Sequence, residues 1–253
     1  MKVKKGEKIL ILSEDNKFER IIEKEPLKEI HTHLGKIVIP ENLKYGDKLM
    51  SSKNKKFFVL KPSTSDLMLK IKRKTTIIYP KDAGFIILEL GIRAGSKVCE
   101  VGTGSGSFLT LISSIVGKKG KIYTFERRKE FYELAKENIL RYKLFDNIEF
   151  HLRDVEKEGF PDIKVDAVFI DIPEPWSVIR HTIKILKKGH PLGSLSPNIE
   201  QIQKTKKEME NCGFVRIRVY EILLREIMIR DFGTRPKEFG ITHTGYLIFG
   251  NLT

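Results

Sequence analysis

The chain has 253 residues, of which 40% are hydrophobic and 32% charged, and its net charge is +14. This length and composition allow one large domain or two modest ones with packed cores, and they disfavour fibrous and disordered proteins. No apolar run reaches the ~18 residues of a membrane span, and two cysteines cannot form a disulfide framework or a zinc cluster. We therefore expect a cytoplasmic protein with no membrane partner, and the positive charge favours a polyanionic partner such as nucleic acid.

Residues 1–65 predict a small all-β domain. Short runs of β-forming residues alternate with turn residues such as Pro40 and Gly46. The predicted strands cover residues 8–12, 17–23, 35–39 and 56–61. A polar, basic stretch at 63–76 is expected to link this part to the rest, and the second domain is expected to comprise residues 66–253.

Most of the excess positive charge lies in the first third of the chain. Lys53, Lys55 and Lys56 form a cluster beside Phe57 and Phe58. Lysines that neutralise phosphates release counterions, so this cluster is a candidate nucleic-acid contact. The alternative is a solvated, lysine-rich surface.

From residue 80 onward, strand and helix patterns alternate. The predicted strands are 97–101, 121–126, 148–152, 165–171, 193–196, 215–221 and 244–250. The predicted helices are 82–90, 105–116, 130–141, 176–186 and 198–211. This alternation predicts an α/β fold: a mostly parallel, Rossmann-like sheet of seven strands with helices on both faces. No helix separates the last two strands, which predicts an antiparallel last strand, and ligands are expected at the carboxyl ends of the first four strands.

The first strand of this sheet ends in a glycine-rich loop that an acidic residue precedes. Its spacing, G-x-G-x-G, differs from the G-x-G-x-x-G of dinucleotide sites, and no P-loop Gly-Lys-Ser/Thr follows it. The acid would repel a pyrophosphate and suits a ligand that carries positive charge. A tight strand-to-helix turn without a ligand is the alternative. The candidate cofactor-binding residues of this loop are Glu100, Gly102, Thr103, Gly104, Ser105, Gly106 and Ser107.

Two further acids follow neighbouring strands. Glu126 ends the second strand, where a carboxylate can accept the ribose hydroxyls of an adenosine. Asp154 follows the third strand and can accept from the exocyclic amine of adenine. Their neighbours Arg127 and Val155 are candidates for the same site. The loop and these acids resemble class I S-adenosylmethionine-dependent methyltransferases over roughly residues 80–253, and the glycine spacing disfavours the alternative, an NAD-dependent dehydrogenase.

The fourth strand ends in Asp171, which Pro173, Pro175 and Trp176 follow closely. Two prolines fix the chain and remove two N–H donors, so carbonyl groups and the Asp171 carboxylate dominate the local polarity. Such a site accepts hydrogen bonds, as recognition of a base amino group requires. Trp176 either packs under the loop or stacks on a base. A rigid loop with a capping aspartate is the alternative interpretation.

Several motifs together resemble the tRNA (adenine-N1)-methyltransferases that act at position 58 of the T-loop. The resemblance covers nearly the whole chain, including the small N-terminal β-domain, and its most specific parts are D-x-P-x-P-W and H-T-G-Y-L. The chain departs from the family pattern at Leu195, Phe239 and Asn251. The motifs are T-I-I-Y-P-K-D at 76–82, the glycine loop at 100–107, D-I-P-E-P-W at 171–176, Pro197 with Gln201, and H-T-G-Y-L at 243–247.

The resemblance implies transfer of a methyl group from S-adenosyl-L-methionine to N1 of adenine 58 in tRNA, with adenine 57 as a further candidate. It implies that Asp171 is the catalytic residue and that Tyr79 stacks on the base. His243 is a candidate substrate or subunit contact, with a structural imidazole as the alternative. The family implies a homotetramer, and we expect no metal site. A non-catalytic RNA-binding subunit and a methyltransferase for another RNA or a small molecule remain alternatives.

Overall fold

The computed structural model of the chain describes residues 1–144, 146–238, 240 and 242–253, so Phe239 lies outside the described residues. The chain divides into two compact units, Met1–Lys70 and Ile71–Thr253. The division falls later than the boundary at residue 65 that the sequence suggests. A helix, α1 (Thr64–Leu69), occupies the stretch expected to be a linker, and Ser63 and Asp66 form a capping box at its start.

The first unit is built from six short strands. Four of them form an antiparallel sheet in the order β2-β1-β6-β5, and β3 pairs with β4. Alternate residues of β1 and β6, such as Ile9, Ile11, Phe57 and Val59, are fully buried, which gives this unit its own core. The strands are β1 (Lys8–Ser13), β2 (Glu19–Glu23), β3 (Glu29–Thr32), β4 (Gly35–Val38), β5 (Lys48–Met50) and β6 (Lys56–Leu60).

The second unit alternates strands and helices. Its strands are β7 (Lys97–Val101), β8 (Lys121–Glu126), β9 (Ile148–Leu152), β10 (Ala167–Ile170), β11 (Pro191–Ser196), β12 (Phe214–Glu221), β13 (Ile227–Met228), β14 (Arg235–Pro236) and β15 (Tyr246–Leu252). Its helices are α2 (Pro80–Glu89), α3 (Ser107–Val116), α4 (Lys129–Tyr142), α5 (Val155–Glu158), α6 (Trp176–Thr182) and α7 (Ile199–Asn211).

The second unit contains a seven-stranded sheet in the order β12-β15-β11-β10-β7-β8-β9. Strands β7 to β11 pair in parallel, whereas β15 is antiparallel to both of its neighbours, β11 and β12. The predicted Rossmann-like sheet with an antiparallel last strand is therefore confirmed. The chain winds outward from β7 to β9 and then returns to β10 on the other side of β7. This switch opens a crevice at the carboxyl ends of β7 and β10.

The core of the second unit lies on the central strands. All four residues of β10 are buried, as are four of the five residues of β7. Strands covered on both faces carry near-continuous apolar runs. β10 has such a run, and in β7 the buried Glu100 interrupts it. Among the described residues, no helix is long and apolar enough to cross a membrane.

Candidate active site

A cavity of about 450 Å³ opens at the carboxyl ends of β7, β8 and β10, at the switch point of the sheet. Seven of the predicted cofactor-binding residues line it: Gly102, Gly104, Glu126, Arg127, Asp154, Val155 and Asp171. Its wall also includes Thr75 and Thr76, which precede α2. The structure thus brings together residues that lie up to about a hundred positions apart in the sequence.

The glycine loop brings the ends of β7 and β10 into contact. Gly102 has φ +92°, and a Cβ atom at this position would lie 2.1 Å from the backbone oxygen of Asp171. The Asp171 amide in turn donates to the carbonyl oxygen of Val101 over 2.8 Å. Only a glycine fits this close approach, and the floor of the cavity is therefore bare backbone.

Glu126 presents a fixed carboxylate at the end of β8. The backbone amides of Gly104 and Arg128 each donate to one of its oxygens over 3.0 Å, and Arg128 Nε lies 3.3 Å from Oε1. A carboxylate has about four lone-pair positions, two on each oxygen. The Gly104 amide uses one position on Oε2, so the other can accept from a ligand hydroxyl. A second becomes available if the Arg128 side chain moves aside. This geometry suits a ribose diol.

Glu100 lies behind the loop and does not line the cavity. It is buried, and the Thr124 hydroxyl donates to its Oε2 over 2.5 Å while contacting the Thr103 hydroxyl at 2.6 Å. Burial raises the pKa of Glu100 to about 8, against the opposing effect of the Thr124 hydrogen bond. This side chain is therefore largely protonated at neutral pH, and its contact with a ligand stays a prediction.

Asp171 follows β10 and faces the cavity next to Gly102. Burial, and then repulsion from Glu126, raise the pKa of its carboxyl to about 6. At neutral pH the group is mostly ionised and acts as a hydrogen-bond acceptor. Two anionic carboxylates, Glu126 and Asp171, then face one cavity, which favours a ligand with positive charge and disfavours a pyrophosphate.

Asp154 and its neighbours form another side of the cavity. Asp154 caps α5, and one of its oxygens accepts from the amide of Glu156 over 3.2 Å. Within the described chain, its second oxygen contacts only the exposed Lys157 side chain, at 3.7 Å. This oxygen can therefore accept from an exocyclic amine of a bound base.

The remaining predicted site residues lie outside the cavity lining in the described chain. The loop residues Thr103, Ser105, Gly106 and Ser107 lie at the start of α3, where Gly106 is the N-cap residue. Tyr79 is the N-cap residue of α2, and Lys204 Nζ of α7 lies 5.0 Å from the centre of the Trp176 ring. Their roles toward substrate stay predictions.

His243 also lies outside the cavity lining, and both of its ring nitrogens contact protein atoms, at Glu221 and Pro197. The predicted lysines belong to the first unit. Lys56 pairs with Glu14 at 2.5 Å, and Lys53 Nζ lies 3.4 Å from the carbonyl oxygen of His33.

Asn138 holds the glycine loop in place, and the sequence analysis missed it. Its amide nitrogen donates to the carbonyl oxygens of Ser105 and Lys72, over 2.9 and 2.8 Å. The amide therefore ties the loop to the segment that leads to Thr75. A polar residue on the buried face of α4, in line with Ala135 and Tyr142, is the pattern that could have revealed it.

The cavity fits S-adenosylmethionine. Gly102 leaves space against Asp171, Glu126 offers an acceptor for a ribose hydroxyl, and the two carboxylates complement a sulfonium and an ammonium group. Among the described residues, no group of three or more His, Cys, Asp or Glu side chains is arranged to hold a metal ion.

Comparisons with known proteins agree with this site. The chain is 35% identical to the tRNA (adenine(57)-N(1)/adenine(58)-N(1))-methyltransferase TrmI of Methanocaldococcus jannaschii, over 92% of this chain and 91% of that protein. The crystal structure of the tRNA (m1A58) methyltransferase TrmI from Aquifex aeolicus matches with a TM-score of 0.84 and 30% identity, covering 99% of this chain and 98% of the other.

A structure described as a SAM-dependent O-methyltransferase from Thermotoga maritima matches with a TM-score of 0.91 and 34% identity, covering 99% of this chain and 94% of the other. Its name gives oxygen as the acceptor atom, and it shares the transfer of a methyl group with the two TrmI proteins. The family model for the tRNA methyltransferase complex GCD14 subunit matches residues 55–244. The chain therefore belongs to the GCD14 family of tRNA methyltransferase subunits.

Proposed function

We propose that this enzyme transfers the methyl group of S-adenosylmethionine to N1 of adenine 58 in the T-loop of tRNA. The observation that carries the proposal is the Asp171 carboxylate, which faces the cavity at the switch point and is followed by a segment poor in N–H donors. The N6 amine of adenine is a hydrogen-bond donor beside N1. An acceptor at this place therefore selects adenine and presents its N1 to the methyl donor.

Asp171 acts on the base in two ways. By accepting from the N6 amine it orients the ring, and its negative charge stabilises the positive charge that develops on the methylated base. N1 already has a lone pair, so no residue needs to remove a proton before attack. S-adenosylmethionine, when bound, supplies a methyl group on a sulfonium whose leaving group departs neutral. Most of the remaining rate comes from holding N1 in line with that methyl group.

Glu126 and Asp154 bind the cofactor in this proposal. Glu126 accepts from the ribose hydroxyls, and Asp154 accepts from the adenine amine of the cofactor. The bare backbone at Gly102 lets the cofactor approach Asp171 closely. Arg127 and Val155 complete the lining near the nucleoside.

The target adenine must leave the base stack before it can enter the cavity, which costs a few kcal/mol. Contacts with tRNA phosphates offset this cost. The first unit, rich in lysine, supplies them in our proposal, through Lys53 and Lys55, which form no ion pair within the described chain. Lys56 contributes less because Glu14 already neutralises it.

We further propose that the enzyme is a cytoplasmic homotetramer. Five large apolar side chains are exposed on the segment between β12 and β15: Leu223, Leu224, Ile227, Ile229 and Phe232. Exposed apolar clusters of this kind are typical of subunit interfaces. Light scattering should give the mass of four chains, and Phe232→Ser should lower it. A monomeric mass for the unaltered protein would contradict the proposal.

The decisive experiment is methyl transfer from labelled S-adenosylmethionine to unmodified tRNA transcripts, followed by nucleoside analysis. Label in 1-methyladenosine that disappears when adenine 58 is replaced supports the proposal. Residual label at adenine 57 would indicate the double specificity named for the Methanocaldococcus jannaschii relative.

The second candidate is a non-catalytic subunit of a methyltransferase complex. It is favoured by the family match, because the family is named for a subunit of a tRNA methyltransferase complex. It predicts tRNA binding without label transfer by the chain alone. The presence of Glu126, Asp154 and Asp171 in one cavity supports the catalytic alternative.

A further inference from the structure

The H-T-G-Y segment at 243–246 lies outside the cavity lining, but it forms hydrogen bonds with the start of α2, which follows the cavity-wall residues Thr75 and Thr76 in the chain, and with Pro197 before α7. Its first bond is at Thr244. The Thr244 hydroxyl donates to Asp82 Oδ2 and accepts from Lys81 Nζ, each over 2.6 Å. Lys81 Nζ also donates to Asp82 Oδ1 over 2.8 Å. Asp82 is fully buried in the first turn of α2, six positions after Thr76 of the cavity wall.

The second bond is at His243. Its Nε2 lies 3.1 Å from the carbonyl oxygen of Pro197, and its Nδ1 lies 2.6 Å from Glu221 Oε1. A carbonyl oxygen and a carboxylate oxygen both accept hydrogen bonds, so these two contacts favour the imidazolium form, in which both nitrogens can donate. The Glu221 hydrogen bond, more than that of Pro197, raises the pKa of His243 accordingly.

The H-T-G-Y turn also packs closely on the end of β11. A Cβ atom at Gly245 would lie 3.0 Å from the carbonyl oxygen of Ser196, which precedes Pro197. The turn therefore holds the segment that leads from β11 into α7. Asn198, at the start of that helix, accepts from the amide of Gln201 over 3.0 Å as the N-cap.

Gln201 extends these contacts to the loop that contains Asp171 and Pro173, which we call the Asp171 loop. In a capping box, a glutamine at this position turns back to the N-cap backbone. Here its Nε2 donates instead to the carbonyl oxygen of Pro173, over 2.9 Å, two residues after Asp171. Its Oε1 is left buried without a partner among the described residues. An unsatisfied buried acceptor costs free energy. The Gln201 side chain therefore holds the Pro173 carbonyl at a cost, and it does not make the hydrogen bond that would stabilise the start of α7.

We propose that Thr244, His243 and Gln201 form a positioning network that fixes the Asp171 loop relative to Thr75 and Thr76, and so sets where the target base meets the methyl donor. The inference rests on the proposed function, because it assigns the network to the same cavity. Gln201 is the positioning residue of the Asp171 loop. It acts through the loop and does not touch the reacting atoms.

The test compares Gln201→Met with Gln203→Met. The two glutamines lie two positions apart on α7, and Gln203 is exposed, so the second variant is a matched control. Because Met cannot donate to Pro173, hydrogen exchange in a peptide spanning residues 170–177 should become several-fold faster in Gln201→Met only. The single-turnover methylation rate should fall about tenfold or more, while the dissociation constant of S-adenosylmethionine changes less than about twofold.

A second variant covers the case in which Gln201→Met does not fold. Gln201→Glu keeps the shape of the side chain and loses the donor, so it should give the same two changes. Combining Gln201→Met with His243→Ala should lower the rate no further than the more severe single variant, because both break one network. If the two substitutions lower the rate independently, so that their effects multiply in the double variant, the proposal is overturned.

Unchanged exchange and unchanged rate in both Gln201 variants would also overturn it. If the proposed function is wrong, the same experiment gives a different and distinguishable result. If the unaltered chain does not methylate tRNA, but loop exchange still responds to Gln201→Met and not to Gln203→Met, the proposed substrate is wrong and the network stands.

Discussion

Gly102 and Asp171 are in backbone contact across the switch point of the sheet: a Cβ atom at residue 102 would lie 2.1 Å from the Asp171 carbonyl oxygen. The glycine loop, which we propose binds the cofactor, and the residue that we assign to the target base therefore form one rigid junction. A displacement of either segment displaces the other.

Gly102→Ala should separate these two segments. The added methyl group must push the Asp171 backbone away, so we expect cofactor affinity to fall at least about tenfold and methyl transfer to be lost. Calorimetry with S-adenosylmethionine measures the first effect. Gly95→Ala is the control, because Gly95 has a similar φ of +88° with open space around it. Equal losses in both variants would mean that backbone strain, and not the contact with Asp171, is responsible.

Asp171→Asn should keep the fold and lower kcat about 100-fold, because the amide cannot offer the negative charge that stabilises the methylated base. Cofactor affinity should change much less than kcat. Near-normal kcat on tRNA would remove Asp171 from the mechanism.

The pH dependence of kcat/KM should report the same carboxylate. Its pKa is raised to about 6, mainly by burial. Only the ionised form carries the negative charge that stabilises the methylated base, so kcat/KM should rise with pH up to about 6 and then level off. This rise of kcat/KM with pH should be absent in Asp171→Asn. A rise that persists in the variant would belong to another group.

Glu126→Gln should weaken S-adenosylmethionine binding. Hydrogen bonds to a charged acceptor contribute about 1.5–3 kcal/mol, so the dissociation constant should rise roughly ten- to a hundredfold. Glu133→Gln, on the exposed side of α4, serves as the control. If calorimetry finds the same affinity in both variants, the ribose assignment fails.

Charge reversal at Lys53 and Lys55 should weaken tRNA binding and flatten its dependence on salt, because fewer counterions are released. The comparison is the same double reversal at Lys118 and Lys119, in the turn after α3. Binding titrations at several salt concentrations measure the slope. A slope that both double variants reduce equally would indicate general charge repulsion and not a binding surface.

Local chemistry explains which site residues could be predicted. Gly102, Glu126 and Asp171 each stand at the end of a buried strand, and a parallel sheet brings such ends together. The sequence alone therefore predicts that these three residues lie close together in the fold. The strand limits of β7, β8 and β9 also agree with prediction, because their apolar runs end at charged residues or glycines.

Contacts between distant segments could not be predicted in this way. Thr244 meets Lys81 across more than 160 positions, and nothing in either local pattern indicates the other. Gln201 has the spacing of a capping-box residue, so its local pattern predicts a bond that the structure does not make. The α1 helix was missed because its polar, lysine-rich surroundings resemble a linker, although Ser63 and Asp66 form a capping box.

β15 is the last strand in chain order, yet it lies between β11 and β12 in the sheet. Until residues 246–252 have left the ribosome, β11 exposes an unpaired edge and β12 has no neighbour in the sheet. A nascent chain paused before this strand already holds the glycine loop and Asp171, but not the anchored H-T-G-Y turn. The contacts that we propose to position Asp171 can therefore form only after β15 has been made, later in synthesis than the glycine loop and Asp171 itself.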